Sequence, residues 1–205
     1  MLPKSLLIAL VLILCGSVAR ADIIDEWASV QSPAKPMLRS VTVPAKTTAL
    51  LMLDFLNRNC GTRPRCVATL PAVKKLLASA RVAHATVVYS IVPNSTTSDV
   101  MKDVAPEVNE PHVLSGPDKF VGTDLEKILK ERGITTVIVA GTASNGAVLF
   151  TAMGAAMRGM NVIAPVDGMS AADPYADLST VYTFGHAPSL AAKSTLTRST
   201  MIGFE

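Results

Sequence analysis

The stretch TTVIVAGTASNGAVLF, residues 135–150, changes character halfway along. TTVIVAGT is a short apolar run rich in β-branched residues, the pattern of a strand buried on both faces. From Asn145 to Gly159 the chain then reads as a helix rich in Ala and Gly, a composition that lets a helix lie close against a sheet. A buried strand feeding a helix is the repeating unit of a parallel α/β sheet, and such sheets bind ligands at the carboxyl ends of their strands. The turn GTASNGA, residues 141–147, therefore stands where chemistry is expected. It carries no group primed as a nucleophile.

The rest of the chain repeats the unit. TALLMLDFL, residues 48–56, is a continuous apolar run that ends on a carboxylate, Asp54. Residues 69–84 place Leu70, Val73, Leu76, Leu77 and Ala80 at helical spacing, and ATVVYSIVP, residues 85–93, is a second buried strand. TDLEKILKERG, residues 123–133, reads as a helix with a Thr123/Glu126 capping box, a stripe of Leu125, Ile128 and Leu129, and a stop at Gly133. NVIAPVDGMS, residues 161–170, is a further strand, residues 173–184 a further helix, and residues 194–201 a last strand. Residues 94–118 are polar and Pro-rich without a period; a loop this long in a compact domain is usually functional, here expected as a lid or pocket wall. The fold class expected is α/β with a mostly parallel sheet covered on both faces.

Length and composition agree with one domain. The chain has 205 residues, 49% hydrophobic and 17% charged, so it can bury a sizeable core; with 4% aromatics that core must be aliphatic. Residues 1–21 read as a signal peptide: Lys4, an apolar run from Leu6 to Cys15, and small residues at Ala19 and Ala21. That run is about ten residues, short of the roughly 20 that a spanning helix needs. Export, to the periplasm, with cleavage after Ala21 and no membrane anchor afterwards, is the expectation. Residues 22–48 then form a Pro-containing lead-in and residues 49–205 the domain. Cleavage removes Lys4 and Arg20 and no acidic residue, so the formal charge of +3 falls to +1. No basic stripe with interleaved aromatics remains, which gives nucleic-acid binding no support. In an oxidising compartment Cys60 and Cys66, in CGTRPRC, read as a disulfide closing a small loop just after Asp54. His84, His112 and His186 show no ligand spacing, and no metal or cofactor is expected.

Three features converge on the carboxyl edge: Asp54, the turn of residues 141–147, and Asp167. A carboxylate ending an apolar strand must be partnered or shifted in pKa, so Asp54 is either an acid–base group or a structural ion pair or cap. Lys119 could supply the cation. Asp167, beside Gly168, reads more simply as a turn-former.

At these residues the sequence resembles the isochorismatase-like cysteine hydrolase family, from about Thr48 to Met201. The resemblance is carried by ALLMLDF, by KFVGTDLEKILKERGITTVIVAGTASNGAVLFTA and by AAMRGMNVIAPVDGMSA. It implies a three-layer αβα sandwich, a small-molecule substrate, a homo-oligomer, and a site of Asp, Lys and Cys that hydrolyses small amides or related bonds. Asp54 matches the family Asp. Lys119 is the lysine near the family position, though it stands closer to the following Phe-x-Gly-Thr than is common. The family cysteine falls on Ala147, whose methyl cannot attack a carbonyl. Thr142, Ala143, Ser144 and Asn145 would line the oxyanion and substrate site, with backbone N–H groups at Ala143 and Ala147 holding negative charge. True isochorismatases also lack that cysteine and hydrolyse a vinyl ether through protonation by the Asp. The metal-binding nicotinamidases of the family carry an Asp-x-His set that is absent here. The resemblance thus leaves two readings: non-covalent acid–base hydrolysis through Asp54, or a binding protein without a reaction. For the folded chain it implies a pocket lined by Asp54, Lys119 and residues 142–147.

Overall fold

The computed structural model describes residues 22–205; the expected signal peptide, residues 1–21, lies outside the described residues. Two units are distinguished, one ending at Ala34 and one spanning Lys35–Glu205. Within the first, α1 (Ile23–Glu26) is a single turn whose start is capped by Asp22, whose carboxylate accepts from the Ile24 amide at 2.8 Å.

The second unit carries the sheet. In chain order it contains β1 (Val41–Val43), β2 (Thr48–Leu53), α2 (Pro64–Val82), β3 (Thr86–Ile91), β4 (His112–Leu114), α3 (Leu125–Glu131) and β5 (Thr136–Thr142). There follow α4 (Leu149–Met157), β6 (Asn161–Pro165), β7 (Met169–Ser170), α5 (Pro174–His186), β8 (Ser194–Thr197) and β9 (Ile202–Phe204). The main sheet is parallel throughout, in the order β4-β3-β2-β5-β6-β8, with β7 pairing the end of β5. Every residue of β2 and β5 is buried, as continuous apolar runs in a doubly covered sheet require.

Alternate residues of these strands feed two cores. Leu50 and Met52 of β2, with Ile138 and Ala140 of β5, pack with Val73, Leu76 and Leu77 of α2. Leu51 and Leu53, with Val137 and Val139, pack with Leu129 of α3, Ala152 and Ala155 of α4, and Phe184 of α5. These are the three layers. Close approach between strands is demanded at Gly141, where an added Cβ would lie 2.3 Å from the Leu53 carbonyl oxygen, so the β2–β5 contact beside the site tolerates no side chain there.

Several elements differ from the sequence reading. The lead-in of residues 22–48 contains β1, which pairs in parallel with β9 to make a second, two-stranded sheet. Both strands have only three residues, too few for a period to show. The Pro-rich segment 94–118 contains β4 and two short 3₁₀ turns, Thr97–Asp99 and Lys102–Val104. The Thr123/Glu126 capping box does not form. Asp124 precedes α3; Thr123 Oγ1 donates to the Lys119 carbonyl at 2.5 Å, while Glu126 binds Lys130 at 2.6 Å and Arg158 at 2.7 Å. Two cations outbid one backbone amide for that carboxylate, and they hold its pKa down at about 2. The helix expected from Asn145 opens as a π-helical turn, Ser144–Val148, before α4 begins. Cys60 and Cys66 are disulfide-bonded, with Cα atoms 5.2 Å apart. Cys60 lies in a π-helical turn, Asn57–Gly61, and Cys66 in the first turn of α2.

Candidate active site

Asp54 follows β2 with φ of +57°, a left-handed conformation that costs a non-glycine residue on the order of 1 kcal/mol and persists where surroundings over-determine it. Its partners do so. The Asp54 amide donates to the Ser90 carbonyl at 3.3 Å, and the Ser90 hydroxyl donates to Asp54 Oδ1 at 2.7 Å. Lys119 Nζ donates to Asp54 Oδ2 at 2.8 Å. The same ammonium donates to the Gly116 carbonyl at 2.8 Å and reaches the Ser115 carbonyl at 3.5 Å. Asp54 is 5% exposed and Lys119 fully buried, so water is almost excluded from the pair.

Burial pushes the Asp54 carboxyl above its ordinary range. The ammonium of Lys119, the hydroxyl of Ser90 and the charge of Arg58 pull the other way without cancelling that cost of desolvation. The result is a buried carboxyl whose charged form is disfavoured by desolvation and favoured by a fixed cation 2.8 Å away.

The β2–β5 register brings the turn of residues 143–147 to the same edge, since Leu53 pairs with Gly141. The bond from Thr142 to Ala143 is cis. Ala147 is buried, and as alanine it leaves the turn without a nucleophile. Ser144 is buried too, but its hydroxyl is committed to Asp177 Oδ1 at 2.6 Å, so only its backbone can serve the oxyanion role expected of it. Thr142 is buried with its hydroxyl unpartnered, and Asn145 is exposed. Asp167 does not join Asp54: its carboxylate accepts from the Ser199 amide and hydroxyl, both at 2.7 Å, and so braces the turn before β9. The end of the 94–118 loop, Ser115, Gly116, Pro117 and Asp118, borders a cavity of about 350 Å³ with Val121 and Phe150, but neither Asp54, Lys119 nor residues 142–147 line that cavity, so it is not the pocket expected from the sequence.

Five contributors escaped the sequence reading. Ser90 had a signal, as a small polar residue near the carboxyl end of the otherwise largely apolar run TVVYSI. Arg58 and the carbonyls of Ser115 and Gly116 had none. Asp177 had none either; it ties Ser144 to the Ala171 amide at 2.7 Å and to Arg65 by a salt bridge. Among the described residues no group of three or more His, Cys, Asp or Glu side chains could hold a metal ion, and no helix is long and apolar enough to cross a membrane.

A doubly covered parallel sheet with a buried carboxylate–ammonium pair and a backbone turn converging at its carboxyl edge defines a hydrolase-like α/β protein. The chain belongs to the isochorismatase family: the isochorismatase domain matches residues 48–181. N-carbamoylsarcosine amidase from Thermoplasma acidophilum shares the fold at 23% identity and a TM-score of 0.65, over 75% of this chain and 96% of that one. A cysteine hydrolase from Pseudomonas syringae pv. phaseolicola 1448A gives 20% identity and 0.69, over 82% and 95%. A nicotinamidase from Bacillus subtilis gives 17% and 0.67, over 74% and 99%. No curated protein sequence matches the chain.

Proposed function

We propose that the protein is a hydrolase of a small molecule that works without a covalent intermediate, with Asp54 as the acid–base group. The observation that carries this reading is the Asp54–Lys119 pair: a buried carboxyl with a raised pKa, held at 2.8 Å from a cation on an edge whose nucleophile position is an alanine. In its protonated form Asp54 gives its proton to the substrate, to the terminal carbon of a vinyl ether or to the leaving atom of an ester or amide. Water adds to the electron-poor carbon, and its proton returns to the Asp54 carboxylate, which restores the starting state. Lys119 keeps the carboxylate form bound and oriented. Backbone N–H groups of the turn stabilise negative charge on the substrate.

The test is a hydrolysis screen of vinyl ethers, esters and small amides with wild type and Asp54→Asn. The expected outcome is turnover of at least one class, reduced by a factor of about 10²–10⁴ in the variant, the contribution typical of a positioned acid. Turnover that survives Asp54→Asn would remove Asp54 from the mechanism. The lost nucleophile favours a second reading, a small-molecule binder, which tight binding without turnover in wild type would establish.

We propose further that the chain is exported, loses residues 1–21 and assembles as a homo-oligomer. The intact mass of the secreted fraction should correspond to a chain starting at Asp22 and should rise by two hydrogens on reduction of Cys60–Cys66. A mass that retains residues 1–21 would defeat the export proposal.

A further inference from the structure

We propose that the cavity between the first turns of α2 and the short strand β7 is a second ligand site, built for a small uncharged polyol. It encloses about 560 Å³, within the size range of small-molecule pockets. Arg65 and Thr69 of α2, Met169 and Ser170 of β7, Asp167 and Asp177 contribute to its wall; Asp54, Lys119 and Ala147 do not.

The first reason is a pair of buried hydroxyls with nothing to bond. Ile138 and Ala140 of β5 point into the core on the α2 side, so Thr142, two residues on, points the same way. Ser170 is its register partner in β7 and shares that face. Each is 2% exposed, and neither hydroxyl has a hydrogen-bond partner. An unsatisfied buried hydroxyl costs on the order of 1–3 kcal/mol; Ser170 lines the cavity and Thr142 lies behind it in register, so it is the Ser170 hydroxyl that calls for an occupant to bond it.

The second reason is the valence left on the wall. Arg65 spends Nε and Nη2 on Asp177, which leaves Nη1 as a donor. Thr69 donates to the Cys66 carbonyl at 2.8 Å, which leaves its oxygen as an acceptor. Asp177 is filled, Oδ1 by Ser144 and Ala171 and Oδ2 by Arg65, but each Asp167 oxygen accepts a single bond, from Ser199, and keeps acceptor capacity. Donors and acceptors are thus interleaved around one space. A ligand hydroxyl is the group that answers both at once. Two carboxylates against one guanidinium disfavour an anion, and Pro64, Ala68, Val166 and Val181 supply apolar wall for a carbon frame. The Arg65–Asp177 pair, through Ser144, also connects this cavity to the turn of residues 143–147.

The experiment is calorimetric titration of the full chain with xylitol and myo-inositol, beside butylamine and butyrate. A polyol is expected to bind saturably at millimolar concentration. Ser170→Ala should weaken it roughly tenfold, because a buried partner is lost, while the free variant keeps or gains thermal stability, because an orphan hydroxyl is lost. Val181→Phe, which fills the cavity, should abolish binding even if Ser170→Ala folds poorly. Asp54→Asn should leave polyol affinity within about twofold, so this result stands or falls apart from the hydrolase reading. No saturation by either polyol, tighter binding of the amine or the carboxylate, or unchanged affinity in Ser170→Ala and Val181→Phe would each overturn the proposal; no saturation would leave ordered water as the occupant.

Discussion

Asp54→Asn will destabilise the folded protein by about 3–5 kcal/mol at neutral pH, the cost typical of removing one member of a buried ion pair. The variant strands the ammonium of Lys119, fully buried, on the carbonyls of Gly116 and Ser115 alone. Lys119→Met should cost less. The abandoned carboxyl can take a proton, and its pKa in the fold already lies above the ordinary 3.8. Each unit by which that pKa is raised lowers the cost of neutralising it at pH 7 by about 1.4 kcal/mol.

The pH dependence follows with a definite sign. A carboxyl whose folded pKa is raised binds more protons in the native than in the unfolded state. Its contribution to stability is fully present below 3.8 and is lost as pH rises through the folded value. Lys119 is the largest influence opposing the shift, so Lys119→Met raises the pKa of Asp54 further and extends that loss to higher pH. Urea unfolding of the three proteins across this window should show Lys119→Met close to wild type in acid and increasingly weaker above it. In Asp54→Asn the slope due to this group should disappear. Equal stability of Asp54→Asn and wild type at pH 7 would mean that Lys119 is not held as a buried cation.

The sheet was legible because continuous apolar runs such as TALLMLDF and TTVIVAGT admit one environment, a strand covered on both faces. Asp54 was legible for the same reason: a carboxylate at the end of such a run is a conflict that needs a partner. Lys119 was a weak candidate from the residues alone, since a lysine in a polar loop is ordinarily solvated, and gained weight from the family resemblance. What no local pattern could reveal were groups that act across the chain. Asp177 reaches Ser144 over 33 residues, and Asp167 reaches Ser199 over 32. The sequence around either carboxylate contains only a turn or a helix start. The strands β1 and β9 were missed on different grounds. Three residues pairing across almost the whole length of the unit are held by tertiary contact, not by propensity.

Ala147→Cys is expected to create covalent chemistry where wild type has none. The substituted position lies in the π-helical turn Ser144–Val148, which follows β5, the neighbour of the strand β2 that precedes Asp54, and at the start of a helical segment whose N–H groups favour an anion. A thiol there needs a base, and a carboxylate with a raised pKa is a stronger base than an ordinary one. Lys119 is already fixed beside it to hold the carboxylate form until the proton arrives. The existing cysteines do not compete, because Cys60 and Cys66 are buried and bonded to each other. Incubation of the variant with activated esters and small amides should therefore give an intact mass increased by one acyl group, with wild type unmodified. Asp54→Asn in the Ala147→Cys background should slow acylation by a factor of about 10²–10⁴, while iodoacetamide, which needs no oxyanion site, distinguishes a thiol that is merely reachable from one that is aligned. A variant alkylated by iodoacetamide but inert to every acyl donor would show that the turn of residues 143–147 no longer presents its N–H groups to a substrate. The protein would then be a binder whose loss of reaction reaches beyond one side chain.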